Sequence, residues 1–108
     1  MKSEIFNAKV RDTFIGIEDH GIFTAFIQLD LSDGTTQAFG TYDLRTHDAA
    51  FKFVAGCLRI CESESWEKLK GSTLRARRDD ERLTAIGKLL KDDWFEPAYM
   101  WNSKDTAA

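Results

Sequence analysis

Three consecutive ionisable residues, Glu18, Asp19 and His20, form the densest group of side chains able to do chemistry. A histidine beside two carboxylates is typical of a general base with a raised pKa, and also of a site for a hard metal ion. Successive side chains of a strand point to opposite faces, however, so consecutive residues converge poorly on one atom. Asp and His also suit tight turns. We therefore interpret the segment first as a hairpin turn, then as a partner-binding tip, and last as a catalytic or metal site.

A second group is basic and consists of Arg75, Arg77, Arg78 and Arg82. If residues 74 and 76 face the core, Arg75 and Arg77 share the solvent face of a strand. Such a strip can follow a phosphate backbone, but acidic residues at 79–81 neutralise part of it. The favoured interpretation is an ion-paired hairpin. Nucleic-acid binding through Arg75, Arg77 and Arg78 is one alternative, which we expect to be weak and non-specific, and binding to an acidic protein surface is another.

Aromatic residues are concentrated near the C-terminus, at Trp94, Phe95, Tyr99 and Trp101. Such a segment either folds back to seal the core or presents an aromatic patch to a partner. We expect Trp94 and Phe95 to close the core. Tyr99 and Trp101 lie beyond the single proline and close to a polar tail, and are therefore the better candidates for a partner-binding surface.

The two cysteines, Cys57 and Cys61, are four residues apart in a segment with helical periodicity. Side chains at this spacing run roughly parallel, so a disulfide is not expected. We interpret both as small buried hydrophobes, the alternative being a metal pair with His20 or His47. The sequence carries no phosphate-binding loop, nucleophile elbow or zinc-spaced set of ligands. We therefore expect no catalytic activity, no cofactor and no metal.

Length, composition and net charge indicate a small protein with one domain. The chain has 108 residues, of which 43% are hydrophobic and 31% charged, with a net charge of −3. A chain of this length can bury one hydrophobic core. Its slightly negative net charge gives no overall electrostatic attraction to nucleic acid. No apolar run approaches the ~18 residues of a membrane span, and no signal peptide is evident. We expect a cytoplasmic protein with one domain over residues 1–101 and a flexible tail over residues 102–108.

Hydrophobic periodicity predicts the elements that position these groups. Alternation and turn residues predict strands over residues 6–18, 22–31 and 35–42, joined by turns at 19–21 and 32–34. An amphipathic helix follows, with Thr46 as its N-cap, and then a short helical turn over 65–71. Residues 73–78 and 83–90 are predicted as a second hairpin, although 83–90 also fits a helix. The predicted fold is α+β, an antiparallel sheet made of a three-stranded meander and a C-terminal hairpin, with one main helix packed on it.

A family resemblance spans residues 13–97. Three segments carry it: Gly16-Ile17-Glu18-Asp19-His20-Gly21-Ile22, Ser65-Trp66-Glu67-Lys68-Leu69-Lys70-Gly71, and the stretch from Ala85-Ile86-Gly87 to Asp93-Trp94-Phe95. They resemble small proteins encoded in bacteriophage and prophage genomes, a family without an established activity. The sequence departs from that family at residues 29–35, where the relatives are often glycine-rich. The resemblance implies a phage origin and a host bacterial cytoplasm, and it implies no mechanism.

The small size, the lack of a catalytic set and the implied origin favour a protein that works by binding. Our first hypothesis is an inhibitor of a host defence system, similar to an anti-CRISPR protein, that occludes a site on a larger host or phage protein complex. The alternative is a nucleic-acid-associated accessory protein of phage replication or recombination. The sequence gives no oligomeric state.

Overall fold

The computed structural model describes residues 3–45 and 48–98, which form one antiparallel sheet with one α-helix. The α+β prediction is confirmed. In chain order the elements are β1 (Ser3–Ile17), β2 (Phe23–Leu31), β3 (Thr36–Gly40), α1 (Ala49–Cys61), the 3₁₀ helix η1 (Trp66–Leu69), β4 (Thr73–Asp79), β5 (Arg82–Gly87) and β6 (Trp94–Phe95). Within the described residues, no helix has the length and apolar character needed to cross a membrane.

The detailed sheet architecture differs from the prediction of a meander plus a separate hairpin. The strand order is β3-β2-β1-β4-β5-β6, so one continuous sheet of six strands runs through β1. β1 is long enough to pair with β4 over residues 3–9 and with β2 over residues 8–17. A β-bulge between Val10 and Asp12 separates the two halves and shifts the register by one residue.

The sheet curls strongly. Flat geometry would separate β3 from β5 by about 19 Å, since four inter-strand spacings lie between them. Instead the Gln37 side-chain amide on β3 donates to the Glu81 carbonyl at 2.8 Å, and the Phe39 and Phe95 rings lie 6.2 Å apart. The two ends of the sheet therefore approach each other around the core.

The core lies between the inner face of this sheet and α1. Alternate β2 residues supply one wall, and the buried face of α1 supplies the other; these are Ala25, Ile27, Leu29 and Leu31, and Ala49, Phe53, Gly56, Cys57 and Ile60. Gly56 permits the closest approach, because a Cβ there would lie 2.5 Å from the Phe95 ring. The absence of a side chain at Gly56 therefore allows α1 to pack directly on β6.

The limits of α1 depart slightly from the sequence prediction. The helix begins at Ala49 with Asp48 in the N-cap position, and the Asp48 side chain makes no capping hydrogen bond. The predicted cap, Thr46, lies outside the described residues. At the other end Glu62 adopts a left-handed conformation, and Ser63 donates its N–H to the Leu58 carbonyl, which closes the helix.

The second predicted hairpin is confirmed as β4 and β5, and the helical alternative for residues 83–90 is wrong. The strand ends at Gly87, however, and residues 88–93 form a loop that returns as β6. A Cβ on Gly87 would lie 2.6 Å from the Trp94 ring, so the absence of a side chain allows β6 to close on β5.

Candidate functional site

The turn between β1 and β2 is built around Glu18. The backbone N–H of Glu18 donates to the Ile22 carbonyl at 3.0 Å, and Gly21 N–H donates to the Glu18 carbonyl at 2.9 Å. Its carboxylate accepts the N–H of His20 at 2.5 Å and that of Ile22 at 3.3 Å. Gly21 has φ +81°, a conformation that glycine adopts without strain. The side chain of Glu18 therefore fixes the backbone of the tip.

The electrostatics of Glu18 agree with this arrangement. Desolvation raises the pKa of the carboxyl group, but hydrogen bonds from the Ile22 N–H and from His20 outweigh it and hold the pKa below its ordinary value. The His20 Nδ1 atom lies 3.3 Å from the second carboxylate oxygen. A carboxylate that accepts several hydrogen bonds stays ionised and is a poor proton acceptor at neutral pH. Glu18 is therefore suited to holding the turn rather than to general base catalysis.

Asp19 and His20 extend beyond the part of the tip that Glu18 holds. The His20 side chain is 85% exposed. Asp19 is exposed, and within residues 3–45 and 48–98 its carboxylate has neither a hydrogen bond nor an ion pair. Of the three residues predicted for a partner-binding tip, the structure thus places one inside the turn and presents the other two to solvent.

The loop after β3 carries an ion pair close to the tip. The Arg45 guanidinium makes two hydrogen bonds to the Asp43 carboxylate, at 2.9 and 2.7 Å, and these lower the pKa of Asp43 to about 2. Asp43 is the main cause of the raised pKa of Arg45, and the charge of Glu18 adds to it. The positive charge of Arg45, which interacts with Glu18, is therefore already paired with Asp43.

Two isoleucines of β1 are exposed directly before the tip, and sequence reasoning missed them. Ile15 is 44% exposed and Ile17 is 64% exposed. The sequence signal for them is a change in the alternation of apolar residues along β1. The buried apolar residues Ala8 and Val10 stand at even-numbered positions, whereas the two isoleucines stand at odd-numbered positions. The bulge after Val10 causes this change.

The predicted basic strip on β4 is confirmed as a shared face, but its guanidinium groups contact other parts of the fold. Arg75 donates to the carbonyl oxygens of Lys88 and Lys91 at 2.8 and 2.7 Å, and its guanidinium lies 4.8 Å from the Trp94 ring centre. Arg77 pairs with Glu96 at 2.5 Å. These contacts fit the ion-paired hairpin that the sequence favoured.

The other two arginines are also engaged. Arg78 pairs with Glu4 at 3.2 Å and with Asp33 at 3.4 Å, and it stacks on the Phe6 ring at 4.5 Å. Arg82 lies over the Tyr42 ring at 5.4 Å. Arg78 therefore connects the β4–β5 hairpin to β1, and Arg82 connects it to the loop after β3.

The C-terminal aromatic segment is described only in part. Phe95 is buried against α1 and β3, as expected for core closure, and Trp94 is half-buried under Arg75. Tyr99 and Trp101, predicted as partner-binding residues, lie outside the described residues, as does His47.

Both cysteines are free thiols. Burial raises the pKa of Cys57 well above its ordinary value and that of Cys61 to about 11. Protonated thiols are poor nucleophiles and poor metal ligands at neutral pH. In the portion of the chain that the structure describes, no group of three His, Cys, Asp or Glu side chains is placed to hold a metal ion.

A groove of about 560 Å³ lies between the end of α1, residues 71–73 and the loop 88–91. Cys61 lines it, and so do Leu89 and Leu90, which are 38% and 96% exposed. Lys88 in its wall is held by Glu62 at 3.3 Å and by Asp93 at 3.5 Å. Sequence reasoning missed this groove because it assigned residues 88–90 to a strand.

No model of a protein family, no curated protein sequence and no solved structure matches this chain.

Proposed function

We propose that this protein is a non-catalytic binding protein that docks on a larger partner through the tip of the β1–β2 hairpin. The observation that carries the proposal is that the Glu18 carboxylate holds the turn, while Asp19 and the 85% exposed side chain of His20 remain accessible to a partner. A turn that is fixed before binding loses little conformational entropy on docking.

The charge of the tip indicates the kind of surface that it fits. Glu18 and Asp19 are both acidic, and the adjacent Arg45 is paired with Asp43. A basic channel or cleft on the partner would be complementary to such a tip and would steer the encounter. The resemblance to phage proteins implies a phage origin. On that basis we propose that the partner belongs to a host defence complex, which the protein inhibits as anti-CRISPR proteins do.

The alternative role at nucleic acids receives less support from the geometry. It would use Arg75, Arg77 and Arg78, whose guanidinium groups already bind carbonyl and carboxylate oxygens of the protein. Phosphate contacts would have to replace these interactions.

Titration of the purified host partner with single variants tests the proposal. Asp19→Ala and His20→Ala should keep the melting temperature of the parent, and at least one should weaken binding by about 1 kcal/mol or more, the usual threshold for an interface residue that matters. Glu81→Ala is the matched control, because it removes an exposed acidic side chain from the tip of the other hairpin. Binding that is unchanged in both tip variants, or that Glu81→Ala weakens equally, would disprove docking through this tip.

A further inference from the structure

The second half of β1 has one unpaired edge. Beyond the bulge, Glu18 N–H donates to the Ile22 carbonyl on the β2 side, so the even-numbered residues direct their N–H and C=O groups towards β2. Hydrogen-bonding direction alternates along a strand. Thr13, Ile15 and Ile17 therefore direct their backbone groups to the opposite side.

No strand of the described residues lies on that opposite side. β4 pairs with β1 only over residues 3–9, and Gly71 and Ser72 extend the contact to Val10 with bonds of 2.8 Å. β2 shows the same alternation, since Phe23 and Ala25 accept hydrogen bonds from Leu44 and Thr41 on its far side. The edge from residue 13 to residue 17 is thus left open by the topology.

The open edge is accessible and largely unprotected. The N–H groups of Ile15 and Ile17 have no acceptor within residues 3–45 and 48–98, while Asp12 accepts the N–H of Thr13 at 2.9 Å. Ile15 and Ile17 are 44% and 64% exposed. Edge strands with free backbone groups and apolar side chains are templates for an added strand.

Acidic residues stand at both ends of this edge. Asp12, Glu18 and Asp19 flank it, whereas Arg11 is turned towards Asp30, with Nη1 and Oδ1 3.4 Å apart. Arg45 is held by Asp43. An added strand with basic residues at the end that lies beside the tip would therefore be complementary.

A second copy of this chain is a poor occupant of the same edge. Antiparallel pairing about a two-fold axis at Ile15 aligns the three open residues with one another, but it places Asp12 of each copy opposite Glu18 of the other. Arg11 would lie opposite Asp19, but it is already turned towards Asp30. Like charges directly opposite on paired strands are destabilising. A foreign strand without acidic residues at these positions avoids this repulsion.

We propose that the partner adds a β-strand to residues 13–17 of β1, in antiparallel orientation, with apolar residues at alternate positions and basic residues at its N-terminal end. This rests on the proposed function and specifies how the partner is held. Main-chain hydrogen bonds to Ile15 and Ile17 supply binding, and the acidic tip selects the basic end of the strand.

Amide hydrogen exchange measured by NMR tests the proposal. In the free protein the amides of Ile15 and Ile17 should exchange fast, while those of Phe14 and Gly16, which face β2, should be protected. The probe is a blocked heptapeptide of two lysines followed by alternating threonine and valine. At saturation it should slow exchange at Ile15 and Ile17 by about tenfold or more. A peptide with glutamates in place of the lysines should bind more weakly.

A matched pair of variants tests the location. Ile17→Lys should weaken peptide binding by about tenfold, because it places a charge at the edge beside the basic peptide. Ile5→Lys adds the same charge to the same strand at a residue that is 58% exposed, but where β4 already pairs with β1, and it should leave binding unchanged.

Several results would overturn strand addition. Protection of Ile15 and Ile17 in the free protein that rises with concentration would show a second copy at the edge, and protection independent of concentration would show that the chain covers it itself. Peptide binding that leaves both amides unprotected would place the peptide elsewhere. If strand addition fails in one of these ways but partner binding still depends on Asp19 or His20, docking through the tip is retained. If the peptide protects Ile15 and Ile17 but the tip variants bind the partner normally, docking through the tip is disproved and strand addition is retained.

Discussion

Replacing Gly56 with alanine should destabilise the protein, although the same change in most helices is stabilising. Gly56 lies inside α1, where alanine is favoured over glycine by about 1 kcal/mol. The new Cβ would lie 2.5–2.6 Å from three atoms of the Phe95 ring, far inside the optimal carbon–carbon distance of about 3.5–4.0 Å. The ring cannot retreat easily, because Phe53 and Phe39 pack around it with centroids 5.9 and 6.2 Å away.

The magnitude follows from these opposing effects. Overpacking of a filled core costs about 1–3 kcal/mol. After the gain in helix propensity, we expect Gly56→Ala to lower the free energy of unfolding by about 1 kcal/mol, which corresponds to a fall in Tm of about 4–8 °C for a domain of this size. Urea denaturation and calorimetry measure both quantities.

A double-mutant cycle locates the effect at the Phe95 ring. In a Phe95→Leu background the smaller side chain leaves room for the Cβ, so Gly56→Ala should become neutral or stabilising, with a coupling energy of about 1 kcal/mol or more. Gly16→Ala is the control, because it adds a methyl group outside the core. Gly16 is half-buried, and the three nearest atoms to its Cβ would all belong to the Phe14 ring, the closest of them at 3.3 Å. A stabilised Gly56→Ala protein, or a coupling energy near zero, would refute the packing of α1 on β6.

Four further measurements test the rest of the structure. Arg75→Ala should lower the free energy of unfolding by about 1–3 kcal/mol, because two loop carbonyls lose their donor, whereas Arg11→Ala, at a 61% exposed side chain, should cost less than about 0.5 kcal/mol in the same denaturant titration. Cys57→Ala should lower Tm modestly through lost packing, and a chelator should leave the parent's Tm unchanged; a large fall on chelation would reveal a bound metal. The folded-state pKa of Asp43, about 2, is below its ordinary value of 3.8, so its contribution to stability is present above pH 3.8 and is lost as pH falls to about 2, and Asp43→Asn should flatten the Tm profile in that window. The folded-state pKa of Cys61 is raised from 9.0 to about 11, so stability should fall as pH rises through that range, and Cys61→Ala should reduce the fall.

Local patterns were sufficient to predict most of the elements. Alternation along β2 and the Asp33-Gly34 turn identify a hairpin, and the apolar stripe of α1 identifies a helix, because these signals depend on neighbouring residues. The double pairing of β1 was not predictable in the same way. Its partners are distant in sequence, and only the change of apolar phase between Val10 and Ile15 indicates that the strand bends.

The candidate site shows the same division between local and tertiary information. The sequence correctly placed Glu18 and its neighbours at a turn, but the distinct role of Glu18 depends on where its carboxylate lies relative to the N–H groups of His20 and Ile22. Similarly, alternation predicted the common face of Arg75 and Arg77. It could not predict the carbonyl acceptors of Arg75, because they lie on a loop that the sequence assigned to a strand.

Within the described residues, the edge of β1 is less protected than the two outer edges of the sheet. The free side of β3 is approached by the β4–β5 turn, to which Gln37 donates a hydrogen bond, and β6 ends the other side with two residues. Both arrangements limit the backbone available for pairing. β1 instead exposes the backbone hydrogen-bonding groups of residues 13, 15 and 17 next to an acidic tip. Of their three N–H groups, that of Thr13 donates to the Asp12 side chain. An edge of this kind favours unwanted association. In the proposed complex, a partner strand seated on the edge would remove that hazard while the tip aligns its basic end, and the tip and the edge would then form one docking surface.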